Sequence, residues 1–238
     1  MAGTWHDSSG HEIPRVWTLH STVILGDAPL GYWRLGEATG TTAADSSGNG
    51  YNGTYSQVTQ GVPSLISNNG GNLAASFAGG STSEITVGAV AALYNLSRSF
   101  TLEWWMNPGA AASGTAYGIW SSGLSGFAAR QNATSLEILA DYSASLGTIA
   151  AGFAIGTRYY CVLTVDASGI ATLYINGASV GTLNVSSTNF AGGYVRIGAD
   201  GRDNGTWATS FDGVLDEVAV YNKILTAAQI LNHYNAGK

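Results

Sequence analysis

Residues Tyr159–Leu183, YYCVLTVDASGIATLYINGASVGTL, constrain the fold more tightly than any other stretch of the chain. Apolar side chains recur at every second position, which places them on one face of an extended strand. Asp166-Ala-Ser-Gly169 interrupts the first run and Asn176-Gly177 the second. Asn-Gly is the sequence of a type I′ turn, whose central residues take positive φ and whose twist matches the flanking strands. Three consecutive antiparallel strands follow from this. Comparable runs occur at Gly31–Leu35, Leu73–Ala78, Ser83–Val87, Ser99–Pro108, Tyr117–Ser121, Gly126–Gln131, Ser135–Asp141, Thr148–Phe153, Tyr194–Gly198 and Phe211–Tyr221. Many strands with a single terminal helix predict an all-β, two-sheet sandwich. The meander and the long crossing loops fit an antiparallel jelly roll better than an open barrel.

Within Ser99–Pro108, Phe100, Leu102, Trp104 and Met106 share one face and Thr101, Glu103 and Trp105 the other. Tryptophan on both faces predicts a central strand, covered by the second sheet on one side and by loops on the other. The helix is Thr226–Gly237, opened by a Thr226/Gln229 capping box and stopped by Gly237. Its expected apolar face is Ile230, Leu231 and Tyr234.

At 238 residues the chain is long enough for one large domain with its own core. Its one cysteine, Cys161, falls at an apolar strand position and reads as a small buried hydrophobe. Charged residues make up 10% of the chain and the net charge is −6 with no basic cluster, which argues against nucleic acid and anionic membrane as partners. No apolar run reaches the ~18 residues that a membrane-spanning helix requires. The first residues, MAGTWHDSSGHEIPRV, lack the apolar core of a signal peptide.

Residues 1–24 differ from the rest, the domain proper being expected over 25–238. They hold three of the four histidines (His6, His11, His20), together with Trp5, Trp17 and Pro14. Exposed tryptophans are costly and anchor interfaces, so the segment reads as an arm that docks on a neighbouring subunit through Trp5 and Trp17.

Two polar features stand out inside the domain. In FDGVLDEVAVY, Val214, Asp216, Val218 and Val220 are expected on one buried face, where an unpaired carboxylate is costly. Asp216 therefore needs a metal, a cation or backbone N–H donors. In the second, Asp45-Ser46-Ser47-Gly48-Asn49-Gly50, carboxylate, hydroxyl and amide oxygens gather in a turn-rich loop. That donor set suits calcium; the other reading is an Asx-turn in which Asp45 caps its own backbone.

Four stretches in order, GYWRLGEATGTTAADSSGNGYNGTY, SFTLEWWMNP, the 159–183 meander and YVRIGAD…FDGVLDEVAVYNKILTAAQI, resemble laminin-G-like domains of the concanavalin A-like lectin/glucanase superfamily. The resemblance covers residues 25–236. It implies that the opening strand near Tyr32–Leu35 lies beside Val214–Tyr221, and that a structural calcium sits near Asp45, Asn49 and Asp216. The metal-free alternative ties Asp216 to N–H groups of the 45–50 loop or to Arg34. The stretch APLGYWRLGEATGTTAADSSGNGYNGTY is also similar to laminin-G-like domains of bacteriophage structural proteins.

These readings carry an expected function. A virion surface component, a capsid decoration or tail protein, would be anchored through its arm to capsid or tail subunits and bind host-surface glycans. The alternative is an extracellular carbohydrate-binding or adhesion module of a secreted bacterial protein. Homo-oligomers fit either. Sugar binding calls for exposed aromatics among amides and carboxylates, and the loops offer Tyr117, Trp120, Tyr142, Asp200, Arg202, Asp203, Asn204 and Trp207. No enzyme is expected: the E-x-D-x-x-E acid pattern of the superfamily's glucanases is absent, and Asp216 and Glu217 are adjacent.

Overall fold

Strand alternation and turn chemistry assemble two antiparallel sheets of eight strands each. A computed structural model describes residues 5–6, 12–13, 19–79, 83–94, 96, 99–109, 113–120, 126–140, 144–186, 194–199 and 210–238. In chain order these form β1 (Trp5–His6), β2 (Glu12–Ile13), α1 (His20–Gly26), β3 (Gly31–Trp33), β4 (Thr42–Ala43), β5 (Gly53–Ser56), β6 (Val58–Pro63), β7 (Leu73–Ala78) and β8 (Glu84–Gly88). There follow α2 (Ala91–Tyr94), β9 (Phe100–Pro108), β10 (Ser113–Trp120), β11 (Gly126–Asn132), β12 (Ser135–Ala140), β13 (Ala144–Ala150), β14 (Tyr159–Val165), β15 (Ile170–Ile175), β16 (Ala178–Asn184), β17 (Tyr194–Ile197), β18 (Asp212–Tyr221) and α3 (Ala227–Gly237).

The first sheet runs β16-β15-β14-β9-β18-β7-β6, with β3 also paired to β18. The second runs β13-β12-β11-β10-β17-β8-β5-β4. The arrangement is the expected antiparallel jelly-roll sandwich with a C-terminal helix. The predicted meander is β14-β15-β16, and its turn residues Asn176 and Gly177 take φ of 52° and 84°, as a type I′ turn requires.

The inter-sheet core holds Phe100, Leu102, Trp104 and Met106 of β9, Cys161, Leu163 and Val165 of β14, and Phe127, Ala129, Leu136 and Ile138 of the second sheet. Trp105 lies on the opposite face, as alternation predicts. There it joins a second apolar cluster with Ile24, Tyr32, Leu65, Ile66, Tyr160, Val162, Ala219, Tyr221, Leu225 and Ile230. Two helices and the 64–69 segment cover that face: Ser67 N–H donates to Gly237 O at 3.0 Å and His20 N–H to Asn68 O at 3.1 Å. The expected arm boundary at residue 24 thus falls inside a helix that packs on the domain.

Three expectations change. β5 and β6 occupy a stretch read from sequence as loop or left unassigned; Gly53 and Tyr55 are buried while Thr54 and Ser56 are exposed, a short alternation hidden among turn residues. In β18 a bulge intervenes: the register shifts between Asp216 and Ala219, and Glu217 sits at φ 52°. An extra residue reverses the alternation beyond it. Leu215, Val218 and Val220 consequently face the core, while Val214, Ala219 and Tyr221 face outward. The expected all-valine face is therefore split. In α3 the buried residues are Ile230, His233 and Gly237, whereas Leu231 is 46% exposed. The reason is polar: His233 is drawn inward by two carboxylates. Gly237 meanwhile permits close approach, since a Cβ there would lie 2.5 Å from the Trp105 ring.

Candidate functional site

The outer face of the second sheet carries a row of polar groups, most of them buried: Glu84, Arg196 and Glu137 are each 6% exposed. One row runs across it in register, Thr54, Thr86, Arg196, Gly118, Ala128, Leu139 and Ser145. Arg196 Nη1 donates to Glu84 Oε2 at 2.7 Å, and Thr86 Oγ1 donates to Glu84 Oε1 at 3.0 Å. Two strands from Arg196, Arg130 donates through Nε and Nη2 to Glu137 Oε2 at 3.0 and 2.5 Å, and Asn132 Nδ2 donates to the same oxygen at 2.9 Å. Ala128 and Leu139 form a small buried apolar island between the two ion pairs.

The two acids differ in electrostatics. Burial pushes the Glu84 carboxyl above its ordinary value, more than the Arg196 charge and the hydrogen bonds pull it down. Burial acts in the same sense on Glu137. There, hydrogen bonds from Ser145, Arg130 and Asn132, with the Arg130 charge, outweigh it and hold the carboxyl below its ordinary value. The strands bearing Glu84 and Glu137 are four steps apart in the sheet, roughly 19 Å at ~4.8 Å per step. Paired glycosidase acids stand about 5–9.5 Å apart.

A second group of acids lies beneath the helices. Glu103, fully enclosed, accepts hydrogen bonds from Tyr160 OH at 2.5 Å and Tyr221 OH at 2.7 Å, and lies 2.9 Å from His233 Nδ1. His233 Nε2 is 2.8 Å from Asp27 Oδ2, just past α1. Burial acts to raise Glu103, but the His233 charge and the three hydrogen bonds hold it below its ordinary value. Burial acts to lower His233, but Glu103 and Asp27 outweigh it and raise the imidazole. Glu217 accepts hydrogen bonds from Tyr32 OH, from Arg34 Nε and Nη2 at 3.2 Å each and from Asn72 Nδ2 at 3.2 Å. A histidine between two carboxylates resembles the orienting half of a catalytic triad. Here every member is occupied by structural partners and closed off from solvent except at Asp27.

Asp216 bonds through Oδ2 to Ser64 Oγ at 2.6 Å and Leu65 N–H at 2.8 Å. Its donors thus come from the segment after β6, not from the 45–50 loop, and Arg34 binds Glu217 instead. Asp45 accepts from the N–H groups of Tyr32, Ser47 and Tyr51 at 3.0, 2.9 and 2.9 Å and from Ser47 Oγ at 2.8 Å. That is the Asx-turn geometry, extended to tie the loop to β3. Asn49 Nδ2 donates to Leu30 O at 3.0 Å. Asp45 and Asn49 thus share Ser47 Oγ within their loop, whereas Asp216 bonds to a different segment. No cluster of three or more His, Cys, Asp or Glu able to hold a metal ion occurs among the described residues. The implied neighbourhood of strands is present all the same: β3 pairs with β18 through Trp33 and Val218, and Trp33 also bridges to Asp45.

Of the sequence-predicted ligand residues, Tyr117 is in register with Ala129 and Ile197, both core residues, and Trp120 with Gly126 and Tyr194. Tyr142, Asp200, Arg202, Asp203, Asn204, Trp207 and Trp17 lie outside the described residues. The backbone that flanks them is informative. Ala140 and Ala144 pair at the end of the sheet where Trp120 meets Tyr194, and Ala199, at the other end of β17, bridges to Ser210. Trp5 belongs to β1, in register with Ile13. The pairs Arg130–Glu137 and Arg196–Glu84 were missed. The first had a signal, because both residues are equidistant from the Ala133-Thr134 turn and so oppose each other across a hairpin. The second joins residues 112 apart in sequence and had none.

Comparison with known proteins bears on the fold. No curated protein matches the sequence. Domain 4 of AbnA, a GH43 extracellular arabinanase from Geobacillus stearothermophilus, solved with arabinotriose, superposes with a TM-score of 0.60 at 16% identity, covering 87% of this chain and 98% of that one. Trypanosoma rangeli sialidase in complex with sialic acid gives 0.64 at 15% identity, over 87% of this chain and 32% of the sialidase, so the chain spans about a third of that protein. The binding domain of botulinum neurotoxin serotype D/C gives 0.64 at 17% identity, over 89% and 53%. These likenesses establish the sandwich. A family profile, Laminin_G_3, described as the concanavalin A-like lectin/glucanases superfamily, matches residues 78–231. With well over half of its length matched, the chain belongs to the laminin-G-type family of that superfamily.

Proposed function

We propose that this protein is a non-catalytic, lectin-like module that binds glycan. One observation carries the reading: the acids on the outer face of the second sheet, Glu84 and Glu137, are not paired for glycoside chemistry. Glu84 and Glu137 are each locked to an arginine about four strands apart, and Glu103, Glu217 and Asp216 are buried under the helices. What the outer face leaves accessible is Thr54, Asn132 and Ser145 with the part-exposed Arg130, groups able to hydrogen-bond sugar hydroxyls. The match, almost end to end, to an arabinanase domain solved with arabinotriose supports a carbohydrate ligand.

The test is a glycan array that includes arabino-oligosaccharides and sialylated glycans, probed with the full chain and with Trp207→Ala and Trp120→Ala. Binding that falls at least about tenfold in one variant is expected, as for loss of a stacking aromatic. An array without a binder, or binding unchanged in both variants, removes the assignment. Release of reducing sugar that is lost in Glu84→Gln or Glu137→Gln overturns its non-catalytic part.

The proposed setting is the virion surface, with residues 1–24 docking on capsid or tail subunits through Trp5 and Trp17. The sequence similarity to phage structural domains and the aromatic arm support it. A particle reconstruction with that segment disengaged from every subunit would remove it. The arabinanase likeness favours the second setting, an extracellular module of a secreted protein. No described helix is long and apolar enough to cross a membrane.

A further inference from the structure

Two carboxylates claim one imidazole beneath the helices. His233 of α3 faces Glu103 of β9 through Nδ1 at 2.9 Å and Asp27, just past α1, through Nε2 at 2.8 Å. A carboxylate only accepts hydrogen bonds, so both contacts need an N–H on the imidazole. The imidazolium supplies two and the neutral ring one. Satisfying both acids therefore requires the charged ring, although His233 is fully buried.

The two acids are not equally dependent on it. Glu103 keeps the hydroxyls of Tyr160 on β14 and Tyr221 on β18 as donors whatever the state of the ring. Asp27 keeps only Gln229 Nε2, from the first turn of α3, and its side chain is 21% exposed. Loss of the second N–H thus falls on Asp27. The rest of the attachment of α1 comes from Ile24 in the outer cluster, from His20 N–H on Asn68 O, and from His20 Nε2 against Trp105 Nε1 at 3.4 Å. The sheet also faces α1 with Glu217, whose Oε2 lies 3.7 Å from His20 Nδ1, and with Glu217's partners Tyr32 and Arg34. At seven residues α1 is too short to persist without such support.

We infer that Asp27, His233 and Glu103 form a proton-dependent latch that holds α1 against the first sheet. With the ring charged, α1 is fastened to α3 and to β9. With the ring neutral, α1 is held by apolar contact and by its His20 end. The raised imidazole value sets the direction: the stabilisation is fully present below the ordinary histidine value of ~6.5 and is lost as pH rises through the higher folded value. The device makes α1 looser on the alkaline side. It is independent of whether the outer face of the second sheet binds glycan.

Backbone hydrogen exchange on the full chain tests it, read by mass spectrometry on peptides covering 19–30 at pH 6 and pH 9 and corrected for intrinsic exchange. Protection of 19–30 is expected to fall about tenfold or more at pH 9, while β9 and β14 keep theirs. In Asp27→Asn, an exposed-side change that leaves Glu103 and both tyrosines intact, protection of 19–30 should be low at both values. Equal protection at pH 6 and pH 9 in the parent chain overturns the latch, as does a pH dependence that survives in Asp27→Asn.

Discussion

Asp216 uses one oxygen for Ser64 and Leu65, and its Oδ1, at zero exposure, has no hydrogen-bond partner among the described residues. Burial and the neighbouring Glu217 charge raise its carboxyl well above the ordinary aspartate value. The protonated form is thus favoured in the fold. Its contribution to stability is greatest at acid pH and is lost as pH rises through the folded value. Asp216→Asn keeps the Oδ acceptor and removes the titration. The variant is expected to be more stable than the parent at pH 8 by about 1 kcal/mol or more, since an uncompensated buried polar group costs ~1–3 kcal/mol, and to lose most of that advantage near pH 4. Urea titrations at the two values check this, and a parent that is the more stable at pH 8 refutes it. That Asp216 lies buried in a strand was legible from its apolar neighbours. Its partners were not, because Ser64 and Leu65 are more than 150 residues away in the chain.

Elements were read well where local chemistry decides them. The Asn176-Gly177 turn and the Thr226/Gln229 capping box are both present, because each depends on a few contiguous residues. Thr226→Ala removes the side-chain acceptor of the Gln229 N–H and should cost about 1 kcal/mol. The loss should show as faster exchange in 226–232 and a lower urea midpoint, and an unchanged midpoint counts against a contribution from the cap. The inward face of α3 was misread because apolarity alone picks Leu231. A histidine bonded on both ring nitrogens overrides that preference, and burying a glycine lets the last turn lie on Trp105. β5 and β6 were missed for a different reason. Two-residue alternation flanked by glycine and asparagine gives too short a pattern to separate from a loop.

For the whole molecule, the implied structural calcium is a question of global stability. Asp45 already receives four donors from its own loop and β3, so a cation there must replace hydrogen bonds and not fill a vacancy. We propose the melting temperature as the arbiter: calcium bound at Asp45 and Asn49 raises it over that in EDTA by mass action, and equal values remove the metal. The sandwich itself was determined by the sequence. Alternation, turn dipeptides and apolar strands fix which residues extend and which side they bury, and these are interactions between near neighbours in the chain. Even the Arg130–Glu137 pair is a hairpin contact that symmetry about its turn reveals. Only the tertiary structure decided which donors each buried acid meets. Glu84 finds Arg196, Glu103 finds Tyr160, Tyr221 and His233, and Glu217 finds Tyr32 and Arg34 across separations of 57 to 185 residues. The strand that seemed from its valines to bury one acid on a plain apolar face instead carries a bulge and two acids under the helices. A carboxylate in low dielectric takes whatever donors the completed fold brings to it, and no local pattern encodes that choice.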